Sequence, residues 1–231
     1  SVHSEVVSLS GQESSRRFRA IVSMNSAYGF LETTGYTPAI IALDVMCKTA
    51  QVEALQSEVN DFLGIVVKIT GELAAVRSAL EAGEQIAQQL GGDPVTKILA
   101  TPEKQIEPIV NGPEEYNGLL EQNVVHLPLI TKNNQEETDM AIENSFALGF
   151  IETQGFTAVF NAIDQACKAA NVEVIGKEKL GGGYVTVVIK GDVAAVKAAV
   201  EAGEAEVSKL GNLIAAYVIP RPSTSVLSLL P

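Results

Sequence analysis

Tryptophan is absent from the 231 residues, histidine and cysteine occur twice each, and aromatic residues make up 5% of the chain. The two histidines, His3 and His126, supply little imidazole for acid–base work, and neither belongs to a motif that pairs it with a nucleophile. The cysteines form no Cys-x-x-Cys or Cys/His cluster, which argues against a disulfide scaffold, a structural zinc and an iron–sulfur cluster alike. Basic residues are scarce: 16 Lys and Arg stand against 28 Asp and Glu, and a formal charge of -12 repels nucleic acid and anionic membranes. The one basic cluster, Arg16, Arg17 and Arg19 around Phe18, reads as a solvated edge. No run approaches the roughly 18 to 20 apolar residues of a membrane helix, and no basic-then-apolar leader is visible. These absences lead to the expectation of a cytoplasmic protein with no cofactor, nucleic acid or membrane partner.

What is present is an apolar fraction of 46%, enough for a sizeable core, and an internal repeat. At an offset of about 120 residues, Gly29-Phe30-Leu31-Glu32-Thr33 aligns with Gly149-Phe150-Ile151-Glu152-Thr153, and the register then holds without a gap. Asp44 meets Asp164, Cys47-Lys48 meets Cys167-Lys168, and Glu81-Ala82-Gly83-Glu84 meets Glu201-Ala202-Gly203-Glu204. About 28 of the 65 positions from Ala27 to Gly91 are identical to their partners, far above chance. The chain is a duplicated domain, divided here as 1–118 and 119–231, each with an N-terminal extension.

Each copy reads β-α-β-β-α-β. A Gly-containing strand, Leu148 to Gln154, precedes a helix whose N-cap is placed at Thr157 and whose Val159, Ile163, Ala166 and Ala170 share a face. In the first copy Pro38 falls where a first-turn proline is tolerated. Two strands, Val172 to Lys179 and Tyr184 to Lys190, flank a Gly-rich hairpin turn. Asp192 caps a second helix with an apolar stripe of Val196, Val200, Gly203, Val207 and Leu210, and Gly211 marks its end. This is an α+β, ferredoxin-like (split βαβ) arrangement repeated in tandem. Gly83 and Gly203 sit inside helices despite a cost of about 1 kcal/mol against alanine, which points to close packing there. A short helix is expected near Ile106 to Asn111, and Val124 to Leu127 echoes Val6 to Leu9.

Catalytic chemistry finds no positive support. Leu180-Gly181-Gly182-Gly183 leads into a strand, lacks a following Lys-Ser/Thr and so is no phosphate loop. The carboxylate pairs, such as Glu81 with Glu84 and Glu201 with Glu204, read as solvated helix faces. Cys47 and Cys167 read as small hydrophobes packed on a helix.

Ala147 to Thr153, Ala162 to Ala170, Lys177 to Gly183, Val185 to Gly203 and Ile219-Pro220-Arg221-Pro222 together resemble the bacterial microcompartment shell domain, and the first copy resembles it through Gly29 to Thr33, Asp44, Lys48, Gly71 and Glu81 to Glu84. The resemblance implies a non-enzymatic shell protein in which three chains of two domains form a homotrimeric pseudohexamer. Such tiles meet neighbouring shell proteins edge to edge around encapsulated enzymes in the bacterial cytoplasm. It places Leu180, Gly181, Gly182 and Gly183 of one hairpin, and Asn60, Asp61, Phe62 and Leu63 of the other, around a central pore for small polar or anionic metabolites. Asp61 and Phe62 are expected to narrow that pore. The tile-edge lysine of the family falls on Lys48 and Lys168, and its arginine on Arg221; Thr101 stands at the first copy's arginine position, so alternate edges are expected to differ. The competing reading is a soluble trimeric ferredoxin-like protein that binds small molecules and does not tile.

Overall fold

The computed structural model describes residues 27–60, 63–110 and 146–230. The first repeat runs β1 (Ala27–Thr34), α1 (Tyr36–Thr49), β2 (Val52–Asn60), β3 (Gly64–Gly71), α2 (Leu73–Gln89) and β4 (Val95–Leu99). A 3-10 turn at Lys104–Ile106 and the single turn α3 (Glu107–Val110) follow, close to the expected short helix. The second repeat runs β5 (Ala147–Gln154), α4 (Phe156–Ala169), β6 (Glu173–Gly181), β7 (Tyr184–Gly191), α5 (Val193–Val207), β8 (Asn212–Ile219) and a last turn α6 (Thr224–Leu227). Both sheets are antiparallel, in the orders β2-β3-β1-β4 and β6-β7-β5-β8, so the α+β expectation holds for each copy. The segments holding Arg16, Arg17, Arg19 and His126 lie outside the described residues, as do both proposed N-terminal extensions.

Local chemistry explains the boundaries. Asp192 Oδ1 accepts from Ala194 N and Ala195 N, both at 2.9 Å, and starts α5 as expected. α4 begins earlier than the Thr157 cap predicted: Gly155, at φ +114, turns the chain out of the strand, and Thr157 falls inside the first helical turn. Gly35 does the same for α1 at φ +89. α5 ends at Val207, so Leu210 leaves the apolar stripe and is 52% exposed.

The helical glycines mark contacts too close for a side chain. A Cβ at Gly203 would lie 2.5 Å from Ile151 Cδ1 and 3.0 Å from the Ala162 carbonyl; at Gly83 it would lie 2.6 Å from Met46 Cγ. Gly203→Ala should therefore lower stability by about 1 to 3 kcal/mol, although alanine is the better helix former. A drop in the denaturant midpoint with unchanged slope is the expected result.

The two related repeats are buried differently. Along β1 the even positions Tyr28, Phe30 and Glu32 retain exposure, while Ala27, Gly29, Leu31 and Thr33 face the helices. Along β5 every residue from Ala147 to Thr153 is buried. The helices show the converse: ten residues of α1 are buried, against Ala158, Val159, Ala162 and Ala166 of α4. The cause is one contact, in which α1 of the first repeat lies on the outer face of the second repeat's sheet. Leu148, Phe150, Leu180, Val188 and Ile219 join Ile40, Leu43 and Met46 in a single core.

Candidate functional site

That contact is built head to tail, and polar groups fix its register. Glu152, on the outer face of β5 and fully buried, accepts hydrogen bonds from Tyr36 N at Oε1 and Thr37 N at Oε2, each 2.8 Å. It thus supplies the N-terminal cap of α1 that Gly35 has no side chain to make. Burial pushes the Glu152 carboxyl above its ordinary pKa, opposed by the two backbone N–H donors. The Thr37 and Thr186 hydroxyls face it as well and favour its charged form, although neither reaches hydrogen-bond geometry with it. Tyr36 Oη donates to the Leu229 carbonyl at 3.3 Å, and burial raises its pKa.

At the outer end of the seam, Asp44 accepts from Ser223 N at 2.8 Å and from Lys48 Nζ. The same Lys48 amine donates to the Arg221 carbonyl. Lys48 and Arg221, chosen from opposite halves of the sequence, thus form one cluster with Asp44. Lys168 stands apart: its partner is Asp164, and its side chain is 64% exposed. Cys47 is half-buried against this seam and burial raises its thiol pKa, whereas Cys167 is exposed, contrary to the packed role expected for both. The difference follows from the seam, which among the described residues covers α1 and not α4.

The two hairpin tips are also brought together. Gly182 and Gly183, at φ +54 and +87, form the two-residue turn between Gly181 and Tyr184, a geometry that requires positive φ at both positions. Leu63 takes φ +68 at the position matching Gly183, where a side chain is strained. Leu63 O accepts from Gly35 N and Gly183 O from Gly155 N, each at 2.8 Å, so both tips are tied to their strand–helix junctions. A Cβ at Gly182 would lie 2.2 Å from Leu63 Cδ2; the tips therefore touch. Gly182→Ala should displace the Leu63 side chain and cost about 1 to 3 kcal/mol, read as a lower unfolding midpoint. Leu180 departs from the pore-lining expectation: it is 2% exposed and packs into the core shared with α1. A hairpin strand alternates its side chains, and Leu180 points to the face the first repeat covers. Asn60 ends β2 opposite Gly64, and Asp61 and Phe62 lie outside the described residues.

Sequence reading missed Glu152 as a functional residue. Its signal was a glutamate repeated at one outward strand position, Glu32 and Glu152, among apolar neighbours. Glu81, Glu84, Glu201 and Glu204 are exposed, as expected of a solvated face. Among the described residues no group of three or more His, Cys, Asp or Glu is placed to hold a metal ion, and no helix is long and apolar enough to cross a membrane.

A helix cap across the seam and adjoining hairpin tips join the two repeats, and the fold class is a tandem of two ferredoxin-like α+β domains. The chain belongs to the BMC domain family, which matches residues 27–101 and 147–222. The bacterial microcompartment shell protein PduA of Citrobacter freundii is 52% identical over 85 residues, covering 37% of this chain and 91% of PduA. The carboxysome assembly protein CcmO of a Synechococcus species is 32% identical over 206 residues, covering 89% of this chain and 68% of CcmO. A solved microcompartment protein from Desulfitobacterium hafniense aligns with 88% of this chain and 99% of its own at 27% identity, with a TM-score of 0.35.

Proposed function

We propose that the protein is a structural, non-enzymatic facet tile of a bacterial microcompartment shell, built as a homotrimer of six domains around a central pore. The observation that carries this reading is the seam between the two repeats. It is heterologous, pairing α1 of one repeat with the outer sheet face of the other, and among the described residues the matching helix α4 keeps large apolar side chains exposed. There Phe156 and Phe160 are 39% and 51% exposed while their counterparts Tyr36 and Ile40 are 2% and 0%. The matching face on the first repeat is the outer side of β1, where Tyr28 and Phe30 are half-buried. A head-to-tail contact of this kind either closes into a ring or grows into a filament. Likeness to shell proteins, and the hairpin tips meeting on one side of the seam, favour the ring.

In that ring the tips of Gly181, Gly182, Gly183 and Leu63, with Asn60, Asp61 and Phe62, surround the axis and admit small polar or anionic metabolites. Glycine amides alternate with the bulkier first-repeat loop. Tile edges alternate as well. One kind carries the Lys48–Asp44–Arg221 cluster within a chain, and the other carries Lys168 and Asp164. The shell sits in the bacterial cytoplasm, with neighbouring shell proteins at its edges and enzymes enclosed. Negative-stain electron microscopy of the purified protein tests this: six-sided discs that pack into flat sheets are expected. Compact trimers that never tile would support the soluble binding-protein reading instead.

A further inference from the structure

We propose that residues 101–110, which follow β4, form a strap that closes over α4 of the next protomer, with Ile109 seated on Phe156. The proposal deepens the trimer reading and rests on it. The chain already holds one such strap. Residues 221–230, which follow β8, lie along α1: Lys48 Nζ donates to the Arg221 carbonyl, Asp44 accepts from Ser223 N, and Tyr36 Oη donates to the Leu229 carbonyl. Val226 is fully buried there, and Leu227, Leu229 and Leu230 pack against the same core as α1.

At the offset of the repeat, Thr101, Glu103, Ile106, Ile109 and Val110 hold the positions of Arg221, Ser223, Val226, Leu229 and Leu230. Their segment is already held at one end. Val110 is buried, and its carbonyl accepts from Lys68 Nζ at 2.9 Å; Lys68 stands on β3 opposite Phe30, on the outer face of the sheet. Lys68 is itself buried and paired with Glu58 at 2.9 Å, so a charged anchor fixes the last carbonyl of α3. Ile109, one residue earlier, is 77% exposed. The first sheet thus holds the strap over its outer face and leaves an apolar side chain uncovered.

The helix that fits this strap carries matching groups. Phe156 and Phe160 hold the positions of Tyr36 and Ile40, stand with ring centroids 5.8 Å apart, and are exposed among the described residues. Asp164 and Lys168 are paired one helical turn apart, as Asp44 and Lys48 are. Threonine in place of arginine at position 101 is no obstacle, because Lys48 meets the backbone carbonyl of Arg221 and not its guanidinium. Thr101 offers the same carbonyl to Lys168, and Glu103 the same N–H to Asp164. Phe156 has no hydroxyl to donate as Tyr36 does, so apolar burial holds this strap at Ile109.

A native cysteine makes the contact testable. Within the chain the Ser225 hydroxyl faces the Cys47 thiol, and Gln105 and Cys167, both exposed, hold the equivalent positions. Gln105→Cys oxidised with diamide should therefore form a disulfide between chains, seen as dimer and trimer bands on a non-reducing gel and abolished by Cys167→Ser. Sedimentation velocity over a concentration series follows assembly, with circular dichroism verifying the fold. The expected result is a wild-type trimer, and for Ile109→Glu a folded chain whose association is at least tenfold weaker. A wild-type trimer in which Ile109→Glu associates normally and no disulfide joins the chains overturns the strap and leaves the ring standing. A disulfide formed within one chain puts the strap on its own α4 and overturns the proposal as well. A wild type that stays monomeric at every concentration overturns the ring itself.

Discussion

Glu152→Ala is expected to lower the unfolding free energy of the single chain by about 2 to 4 kcal/mol, because it leaves the N–H groups of Tyr36 and Thr37 buried without acceptors. The loss should concentrate at the seam: Glu152 lies far along the chain from α1, and no other side chain caps that helix from Gly35. Glu152→Gln retains one acceptor and should cost about half as much. The pH dependence separates these variants further. Since burial raises the Glu152 pKa, the folded chain holds this proton more tightly than the unfolded chain does. The group's contribution therefore makes stability fall as pH rises from the ordinary carboxylate range through the raised value, and levels off above it. Glu152→Gln should remove that slope. Chemical denaturation at several pH values reads both the offset and the slope.

Phe160→Glu should abolish the proposed trimer while leaving the chain folded. Within one chain Phe160 is 51% exposed, so a carboxylate there remains in water. In the ring the same position must take the place of Ile40, which is 0% exposed against the second repeat's sheet. Burying an unpaired carboxylate costs several kcal/mol, enough to shift association by two to three orders of magnitude. Ile40→Glu makes the comparison sharp: that position is already covered within the chain, and the same substitution should unfold it. A Phe160→Glu variant that remains trimeric would show that α4 is not a seam.

Most of the fold was legible in the sequence because the repeat doubled every local signal. The Asp192 cap, the hairpin glycines and the spacing of Gly83 and Gly203 each report a local backbone requirement, and all three appear where read. The start of α4 was misplaced at Thr157 because a threonine is a good cap in isolation, whereas the carboxylate that caps α1 lies 115 residues from Thr37. No local pattern shows such a partner. Leu180 was misassigned for a related reason: sequence places it in the turn, but only the packed first repeat shows which face of β6 is covered. Lys48 and Arg221 came together because the same seam lays the C-terminal end of α1 against the segment that follows β8. What the sequence could not show, in each case, was the contact between two copies of one domain.

In the proposed trimer this contact repeats between chains until six domains close. Native mass spectrometry of the intact protein measures it directly. With a chain mass of 24.4 kDa, closure requires a single dominant species of about 73 kDa, with no open series of dimers and longer chains. A monomer, a stable dimer or a continuous ladder of oligomers would contradict it.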